Sequence, residues 1–353
     1  MYKQINILML LVGVCIVVAC QKEDEPEAIQ KIYNPTPFVL EIPSSFPLLT
    51  ILENNPMTVE GIKLGRMLFY EPILSGDNTL SCAGCHGQES SFGDTVSFSV
   101  GIDGLLGKRN SMPIVNAAWT QSFFWDGRAS SLEDQARFPV KDPLEMHESW
   151  SHAVEELRVH PTYPDLFYEA FGTREIMQEH VTKAIAQFER TMISSSSRFD
   201  RISNFVGFFT ISEANGFKTF NTEKGDCFHC HGTILLTDNL FHNNGLDALH
   251  SDVGLSEVSL RPSDVGKFKT PSLRNVALTA PYMHDGRFKT LEEVVDFYSE
   301  GLKFSETIDP LMKNVHRGGV QLTAEDKKDL IAFLHTFTDT SFLKNPDFAN
   351  PFQ

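Results

Sequence analysis

The stretch Cys82-Ala83-Gly84-Cys85-His86 decides how the rest of the chain is interpreted, and Cys227-Phe228-His229-Cys230-His231 repeats its pattern. C-x-x-C-H is the attachment signature of c-type haem, in which both thiols bind the porphyrin covalently and the histidine ligates the iron. A zinc knuckle or a redox dithiol is the alternative for one copy, but two copies with the trailing histidine favour haem. The sequence therefore predicts two c-type haems. Their attachment and proximal residues are Cys82, Cys85 and His86, and Cys227, Cys230 and His231.

The N-terminal fifty residues are typical of an exported, tethered protein. Residues 1–20 combine Lys3 with an apolar run, as in a bacterial lipoprotein signal peptide. Val17-Val18-Ala19-Cys20 resembles a lipobox and predicts a lipid anchor on Cys20, with a plain signal peptide as the alternative. Residues 21–50, rich in proline and charge, are predicted to be a linker and N-terminal extension. We expect an exported protein, lipid-anchored to a bacterial membrane, in the periplasm or at the cell surface.

Composition limits the class of protein and its partners. A chain of 353 residues with 41% hydrophobic content can form two domains, each with its own core. The formal net charge of −16 argues against nucleic acid as a partner and favours a basic electron donor. Two of the six cysteines lie near the N-terminus and four lie in the haem motifs, which leaves none for a disulfide.

The second half of the chain repeats the first. Each half has a short helix, a C-x-x-C-H motif, a long loop, an Arg-Asn pair, an Asp-Gly-Arg turn and a further helix. The predicted fold is therefore mainly α, with two tandem cytochrome c-like haem domains that arose by internal duplication. The predicted boundaries are residues 51–197 and residues 198–345, and the C-terminal tail is a candidate to pack back on the first domain.

Apolar periodicity and capping residues predict several helices. They are a helix over Thr58–Tyr70, one around Trp150, Val154 and Leu157, one through Val181, Ile185, Phe188 and Met192, one capped by Thr290 with Glu293, and a closing helix capped by Thr323.

The chemistry of each haem depends on the residue that lies opposite its histidine. A haem with two protein ligands transfers electrons, whereas one with an open sixth position can bind peroxide. Equal steps from the turns at Asp126 and Asp285 lead to Pro139 and Tyr298. Proline offers no ligand atom and tyrosine offers a phenolate. We therefore predict an open first haem and a ligated second haem.

Glu145 is the candidate acid–base residue at the open haem, because it lies six residues beyond Pro139. Peroxide cleavage needs a base that takes a proton from one oxygen and returns it to the leaving one, and a carboxylate can do both. Trp125 is a candidate for passing electrons between the haems. A solvated acid and a core tryptophan are the respective alternatives.

The chain resembles the bacterial dihaem cytochrome c peroxidase family over nearly all of residues 50–340. The segments that carry the resemblance are Leu80–His86, Phe124–Ala129, Pro143–Met146, Thr270–Val276 and His284–Arg287. The resemblance implies that the first haem is the peroxide site. It also implies that the second haem accepts electrons from a small cytochrome or copper protein. A homodimer is a further candidate.

The resemblance also implies roles for individual residues. Glu145 falls on the catalytic acid–base position of the family, Trp125 on its inter-haem tryptophan and Gln135 on its distal glutamine. Asn110 and the Thr270 carbonyl match the positions that hold a structural calcium ion.

Two departures from the family pattern bear on function. No histidine stands between His86 and His147, so the Gly-rich loop Val100–Asn110 lacks the residue that blocks the peroxide site in members needing reductive activation. Tyr298 replaces the axial methionine of the second haem, as in the dihaem enzyme of methylamine utilisation, which oxidises tryptophans of a partner protein. Met283 is the rival sixth ligand, and a purely packing role for Tyr298 is the further alternative.

Three functions follow from these observations. The leading hypothesis is an enzyme that reduces hydrogen peroxide to water with electrons from a small periplasmic redox protein, which enter through the second haem. The first alternative is a dihaem oxidase that modifies a partner protein. The second alternative is a dihaem cytochrome that only transfers electrons.

Overall fold

Helices make up nearly all the regular structure of the protein. The computed structural model describes residues 32–353, and its secondary structure is mainly α, as predicted. The α-helices are α1 (Val59–Tyr70), α2 (Cys82–Cys85), α3 (Leu132–Gln135), α4 (Arg137–Lys141), α5 (Trp150–Val159), α6 (Tyr163–Phe171), α7 (Gln178–Arg190), α8 (Arg198–Ser203), α9 (Ile211–Phe220), α10 (Phe228–His231), α11 (Ser256–Ser259), α12 (Leu291–Asp296), α13 (Ala324–His335) and α14 (Thr340–Leu343). Two short antiparallel strands are β1 (Phe241–His242) and β2 (Phe268–Lys269).

Several helices begin where the sequence places a capping residue. The Thr58 side chain accepts a hydrogen bond from the Gly61 amide at the start of α1. Thr290 and Thr323 form capping boxes at α12 and α13, because a carboxylate three residues on bonds back to each threonine. The predictions for these three helices and for α5 are confirmed. Helix α7 is also present, but it ends before Met192.

Two pairs of helices cross at glycines. On α1, a Cβ atom at Gly65 would overlap the carbonyl oxygen of Ala184 on α7. On α9, a Cβ atom at Gly216 would overlap the carbonyl oxygen of Asp329 on α13. The overlap is with backbone, which cannot rotate away as a side chain can. The absence of a side chain at these two positions is therefore what allows each pair to approach so closely.

Each helix pair contributes to its own hydrophobic core. The first core holds Leu64 and Leu68 of α1 with Ile185 of α7 and apolar residues of α5 and α6. The second core holds residues of α9, α12 and α13 around Phe333 and Phe337. Both cores lie within one compact unit that runs from Tyr33 to Gln353.

The segment after α13 returns to α1. The Arg66 side chain donates a hydrogen bond of 2.7 Å to the Ala349 carbonyl, and the Tyr70 hydroxyl donates one of 2.7 Å to the Phe348 carbonyl. Phe342 and Phe348 pack against Phe92, which lies just after the first C-x-x-C-H motif. The C-terminal residues therefore cover the part of the fold that carries this motif.

The stretch Ser194–Ser197, which ends at the predicted domain boundary, is held in place by the buried carboxylate of Asp339. Asp339 accepts hydrogen bonds from the Ser194 hydroxyl at 3.1 Å and from the amides of Ser195 and Ser196 at 3.0 and 2.9 Å. These bonds connect the middle of the chain to its C-terminal region.

The predicted signal peptide and the candidate lipid anchor at Cys20 lie outside the described residues. Within residues 32–353, no helix has the length and apolar character needed to cross a membrane.

Candidate active site: two cavities at the repeated motifs

Each C-x-x-C-H motif forms a single helical turn. In α2 the His86 amide donates to the Cys82 carbonyl at 3.0 Å, and in α10 the His231 amide donates to the Cys227 carbonyl at 3.0 Å. All four motif cysteines are free thiols in this structure, so neither pair forms a disulfide. The turn leaves both thiols of each motif available for attachment.

The two histidines are oriented in the same way. Nδ1 of His86 donates to the Phe92 carbonyl at 2.7 Å, and Nδ1 of His231 donates to the Leu236 carbonyl at 2.9 Å. A metal-binding histidine typically donates its second ring N–H to a carbonyl in this way. Burial lowers the pKa of both imidazoles and favours the neutral form that binds metal. In each ring, Nε2 is therefore the nitrogen placed to bind iron.

A cavity adjoins each motif. The first has a volume of about 870 Å³ and is lined by Cys82, Cys85 and His86. The second has a volume of about 230 Å³ and is lined by Cys227, Cys230 and His231. Two thiols and an imidazole converge on a mostly apolar space in both places, so these residues fit two covalently bound haems.

The first cavity contains the candidate distal residues Gln135, Pro139 and Glu145. The pKa of Glu145 is raised to about 7, mainly by burial. The negative charge of Asp142 adds to this rise, and the positive charge of Arg128 opposes it. Glu145 can therefore hold or release a proton near neutral pH, as a residue that both accepts and donates a proton must.

The Gly-rich loop packs directly against the backbone around Glu145. A side chain at Gly101 would overlap the Leu144 carbonyl oxygen, and the Ile102 amide donates to the Glu145 carbonyl at 3.0 Å. Glycine is therefore required where the loop touches this segment. These backbone contacts of the loop hold Glu145 in position.

Among the described residues that line the first cavity, His86 is the only histidine. His147, the next histidine along the chain, is exposed, and its Nδ1 lies 2.5 Å from a carboxylate oxygen of Asp103 in the Gly-rich loop. His147 therefore does not line the cavity.

The second cavity contains both rival sixth ligands, Tyr298 and Met283. The Asn244 amide group donates to the Tyr298 oxygen at 3.0 Å and lies 3.7 Å from the Met283 sulfur. Burial raises the pKa of Tyr298 to about 12, although the bond from Asn244 lowers it. Tyr298 lies in a π-helical turn (Phe297–Gly301) that continues α12, and such turns are frequent at functional sites.

Trp125 lies in the wall between the two cavities. It lines both of them, and its indole N–H donates to the Asn110 carbonyl at 2.8 Å. Its own carbonyl accepts a hydrogen bond of 2.9 Å from the Lys269 amide. The residues that line both cavities are Asn110, Pro113, Trp125, Lys269, Pro271 and Ser272.

The candidate calcium positions lie in and beside this wall. The Asn110 side-chain amide donates to the Val96 carbonyl at 3.0 Å, and the Thr270 carbonyl accepts from the Thr237 hydroxyl at 2.7 Å. The neighbouring Lys269 is buried, and burial lowers its pKa to about 8. A lysine ammonium in the same wall would repel a calcium ion, so calcium binding stays a prediction.

Arg109 is a residue that the sequence analysis did not single out. Its guanidinium binds buried Asp126 of the Asp-Gly-Arg turn, Asp252 at 2.7 Å and Glu257 at 2.9 Å. It therefore ties the end of the Gly-rich loop to the first turn and to the second half of the chain. Its only signal in the sequence is the Arg-Asn pair.

Comparison with known proteins agrees with this geometry. The model of the di-haem cytochrome c peroxidase family matches residues 59–205. The methylamine utilization protein MauG of Methylorubrum extorquens is 39% identical over 290 residues, covering 80% of this chain and 79% of that protein. The cytochrome c551 peroxidase of Nitrosomonas europaea is 30% identical over 311 residues, covering 86% of each.

A solved structure supports the same relationship. It is described as a MauG-like protein associated with microbial copper homeostasis and is 36% identical in sequence. It superposes with a TM-score of 0.84, covering 90% of this chain and 100% of that one. The chain therefore belongs to the di-haem cytochrome c peroxidase family, whose members are peroxidase-type oxidoreductases that carry two c-type haems.

Proposed function

We propose that this chain reduces hydrogen peroxide to water at the first cavity, with electrons from a small redox protein that enter through the second. The observation that carries the proposal is the difference between the two cavities. The first presents the Glu145 carboxyl beside a proline, whereas the second presents two side chains that can ligate iron, Tyr298 and Met283. One cavity is suited to binding a small substrate and the other to electron transfer.

The two C-x-x-C-H motifs would hold the haems. Cys82, Cys85 and His86 would hold one haem, and the second motif would hold the other. The haems supply the iron that activates peroxide and carries electrons. Overall, one peroxide, two electrons and two protons give two molecules of water.

Glu145 would move the proton. As a carboxylate it accepts a proton from one peroxide oxygen and donates it to the leaving oxygen, which departs as water. Its pKa of about 7 makes both directions accessible near neutral pH. Gln135, in the same cavity, would orient the peroxide by hydrogen bonding.

Trp125 would connect the two haems electronically. It is buried, and it contacts both cavities. Its indole N–H is fixed by the Asn110 carbonyl, which holds the ring in one orientation. The acidic character of the chain, with a sequence pI of about 5.2, would suit a basic donor protein at the second haem.

Two tandem cytochrome c-like domains, residues 51–197 and 198–345, would explain the arrangement. The glycine crossings of α1 with α7 and of α9 with α13 support this proposal. So do the turns at Gly127 and Gly286, which both have positive φ. Export, the lipid anchor at Cys20, a homodimer and a calcium ion at Asn110 and Thr270 stay proposals from the sequence.

Oxidation of a partner protein is the second candidate. Tyr298 favours it, since a tyrosine in place of the axial methionine is the feature shared with the methylamine-utilisation enzyme, and a MauG protein is 39% identical to the chain over 290 residues. Steady-state turnover of peroxide with a reduced small cytochrome would favour the peroxidase. Peroxide-dependent oxidation of tryptophan in a partner, without such turnover, would favour the alternative. Full coordination of both irons would instead indicate a cytochrome that only transfers electrons.

The Glu145→Gln variant tests the proton step. The substitution keeps the volume and removes the titratable group, so the reaction with peroxide should slow by about 10²–10⁴-fold. In the parent, the rate should rise with pH through about 7, because the carboxylate that accepts the proton is formed there. Stopped-flow spectroscopy across this pH range measures both effects.

The matched control is Glu155→Gln, which removes an exposed carboxylate from α5. It should leave both the rate and its pH dependence unchanged, and haem content should be the same in all three proteins. A Glu145→Gln enzyme that reacts at the parent rate would show that another group carries the proton.

A further inference from the structure

Glu189 is a buried carboxyl group in the first cavity that the proposed reaction does not use. It lies in the last turn of α7, is 4% exposed and contributes to the cavity wall. Its Oε2 atom is buried and has no hydrogen-bond partner among the described residues. A buried polar atom without a hydrogen bond lowers the stability of the folded protein. Its presence in the wall of a cofactor cavity therefore suggests a functional role.

The corresponding position at the second cavity is occupied by a leucine. Ala184 of α7 and Asp329 of α13 are the residues whose carbonyls meet the crossing glycines. Glu189 stands five residues after Ala184, and Leu334 stands five residues after Asp329. Leu334 is 6% exposed and lines the second cavity. The same place in the two helices therefore holds a carboxyl group at one cavity and a hydrocarbon at the other.

The groups around Glu189 do not neutralise it as an anion. Arg190 is the nearest positive charge, but its Nη2 is paired with Glu133 of α3 at 2.8 Å, and its Nη1 is buried without a partner. The titratable group facing Glu189 from α2 is Cys82, whose pKa is raised by burial and by the charges of Glu189 and Glu145. Haem attachment converts this thiol to a thioether, which does not titrate.

Burial is the main influence on this carboxyl group. It raises the pKa of Glu189 to about 8; the positive charge of Arg190 opposes the rise, and the negative charge of Glu133 adds to it. An anion at this place is therefore disfavoured unless a positive charge appears nearby. Charge changes at two places in this cavity during the proposed reaction, the Glu145 carboxyl and the haem, and of these only the oxidised haem adds positive charge.

We propose that Glu189 is the redox-linked proton site of the first haem. It takes up one proton from solvent when that haem takes up one electron, and it releases the proton when the electron leaves. The electron comes from the donor protein or a chemical reductant; the only bond formed or broken is the O–H bond of the Glu189 carboxyl group. The inference rests on the proposed function in that it places a redox-active haem in this cavity.

Because haem reduction and protonation of Glu189 are thermodynamically linked, the coupling can be measured either in the haem potential or in the protonation of the carboxyl group. Between the pKa values of Glu189 in the oxidised and reduced states, the potential of the first haem should fall by about 59 mV per pH unit. This is the shift that a tenfold change in proton concentration gives for a one-electron couple. The second haem has Leu334 in the same place and should lack this contribution.

The test is a spectroelectrochemical titration of the dihaem protein at a series of neutral and alkaline pH values. The parent should show the slope at the first haem, and Glu189→Gln should remove it while the slope at the second haem stays the same. Glu189→Leu, which reproduces the arrangement at Leu334, should behave like the glutamine variant. The control Glu179→Gln, on the exposed side of α7, should keep the parent slope.

Infrared difference spectra of the same proteins provide an independent readout. Reduction of the first haem should add the C=O band of a protonated carboxyl group in the parent and in Glu179→Gln. The band should be absent in both Glu189 variants. A parent slope that survives in Glu189→Gln, or a carboxyl band that persists there, would overturn the inference.

Failure of the inference can be separated from failure of the proposed function. If the slope survives in the Glu189 variants while the parent turns over peroxide, the proton site is wrong and the peroxidase stands. If the slope is lost in the variants but the parent does not turn over peroxide, the proton site stands and the proposed reaction is wrong.

Discussion

Asn244 contacts both side chains that can ligate iron at the second cavity, so this one residue affects which of them is used. Its amide donates to the Tyr298 oxygen at 3.0 Å and lies 3.7 Å from the Met283 sulfur. A hydrogen bond to the oxygen lowers the pKa of Tyr298, which works against the rise caused by burial. The contact thus favours the phenolate, the form of tyrosine that binds ferric iron.

The Tyr298→Phe variant is expected to change the spectrum of the second haem and raise its potential, because a phenolate stabilises ferric iron and a thioether does not. The control is Tyr282→Phe, since Tyr282 lines the same cavity but donates its hydroxyl to the Val276 carbonyl at 2.8 Å. Optical spectra and redox titration of both variants measure the effect. A change in Met283→Leu but not in Tyr298→Phe would identify the methionine as the ligand.

Residues that match the internal repeat or the family pattern could be predicted from the sequence, and those that match neither could not. Glu145 and Pro139 follow the Asp-Gly-Arg turn closely, and the structure places both at the first cavity. Glu189 of α7 reaches the first cavity only through helix packing, and Asn244, although it stands 13 residues after His231, has no counterpart in the repeat. Nothing in the local pattern around them distinguishes a cavity wall from an ordinary core position.

At the scale of elements, the helix pairs set the position of each motif. Helix α1 leads into the first C-x-x-C-H turn and crosses α7 at Gly65, and α9 leads into the second and crosses α13 at Gly216. Closely packed interiors tolerate added volume poorly, particularly against backbone. The two glycines therefore control how near each motif lies to the helix that completes its cavity.

Gly65→Ala is expected to lower the free energy of unfolding by about 1–3 kcal/mol, the usual cost of overpacking, even though alanine favours the helix. Lys63→Ala is the control, because Lys63 is exposed on the same helix. Urea unfolding of the haem-loaded proteins measures both. Equal stability of Gly65→Ala and Lys63→Ala would mean that the two helices can separate without cost.

Capped helices could be predicted because a threonine and a carboxylate three residues on act locally, as at Thr290. The prediction that the Arg-Asn pairs occupy equivalent places in the two halves is less accurate. Asn116 and Asn275 both adopt positive φ before a 3-10 turn and stand ten residues before their Asp-Gly-Arg turns. Asn116, and not Asn110, is thus the counterpart of Asn275; the equal spacing is in the sequence, but the shared backbone conformation is what establishes the match.

At the scale of the whole molecule, the two cavities share a wall and differ in what they offer a haem iron. Trp125 lies in that wall, Glu145 lies on the first side and Tyr298 on the second. Arg109 holds the Gly-rich loop against both halves of the chain through three carboxylates. Within the described part of the first cavity, no second histidine is present to close the open position.

Low-temperature EPR of the fully oxidised protein, as purified with two haems, tests this difference most directly. We expect one high-spin ferric haem, from the first cavity, and one low-spin ferric haem, from the second. The high-spin signal should respond to peroxide without prior reduction, because no protein ligand has to leave. Two low-spin signals, with a high-spin signal that appears only after one-electron reduction, would contradict an open first haem.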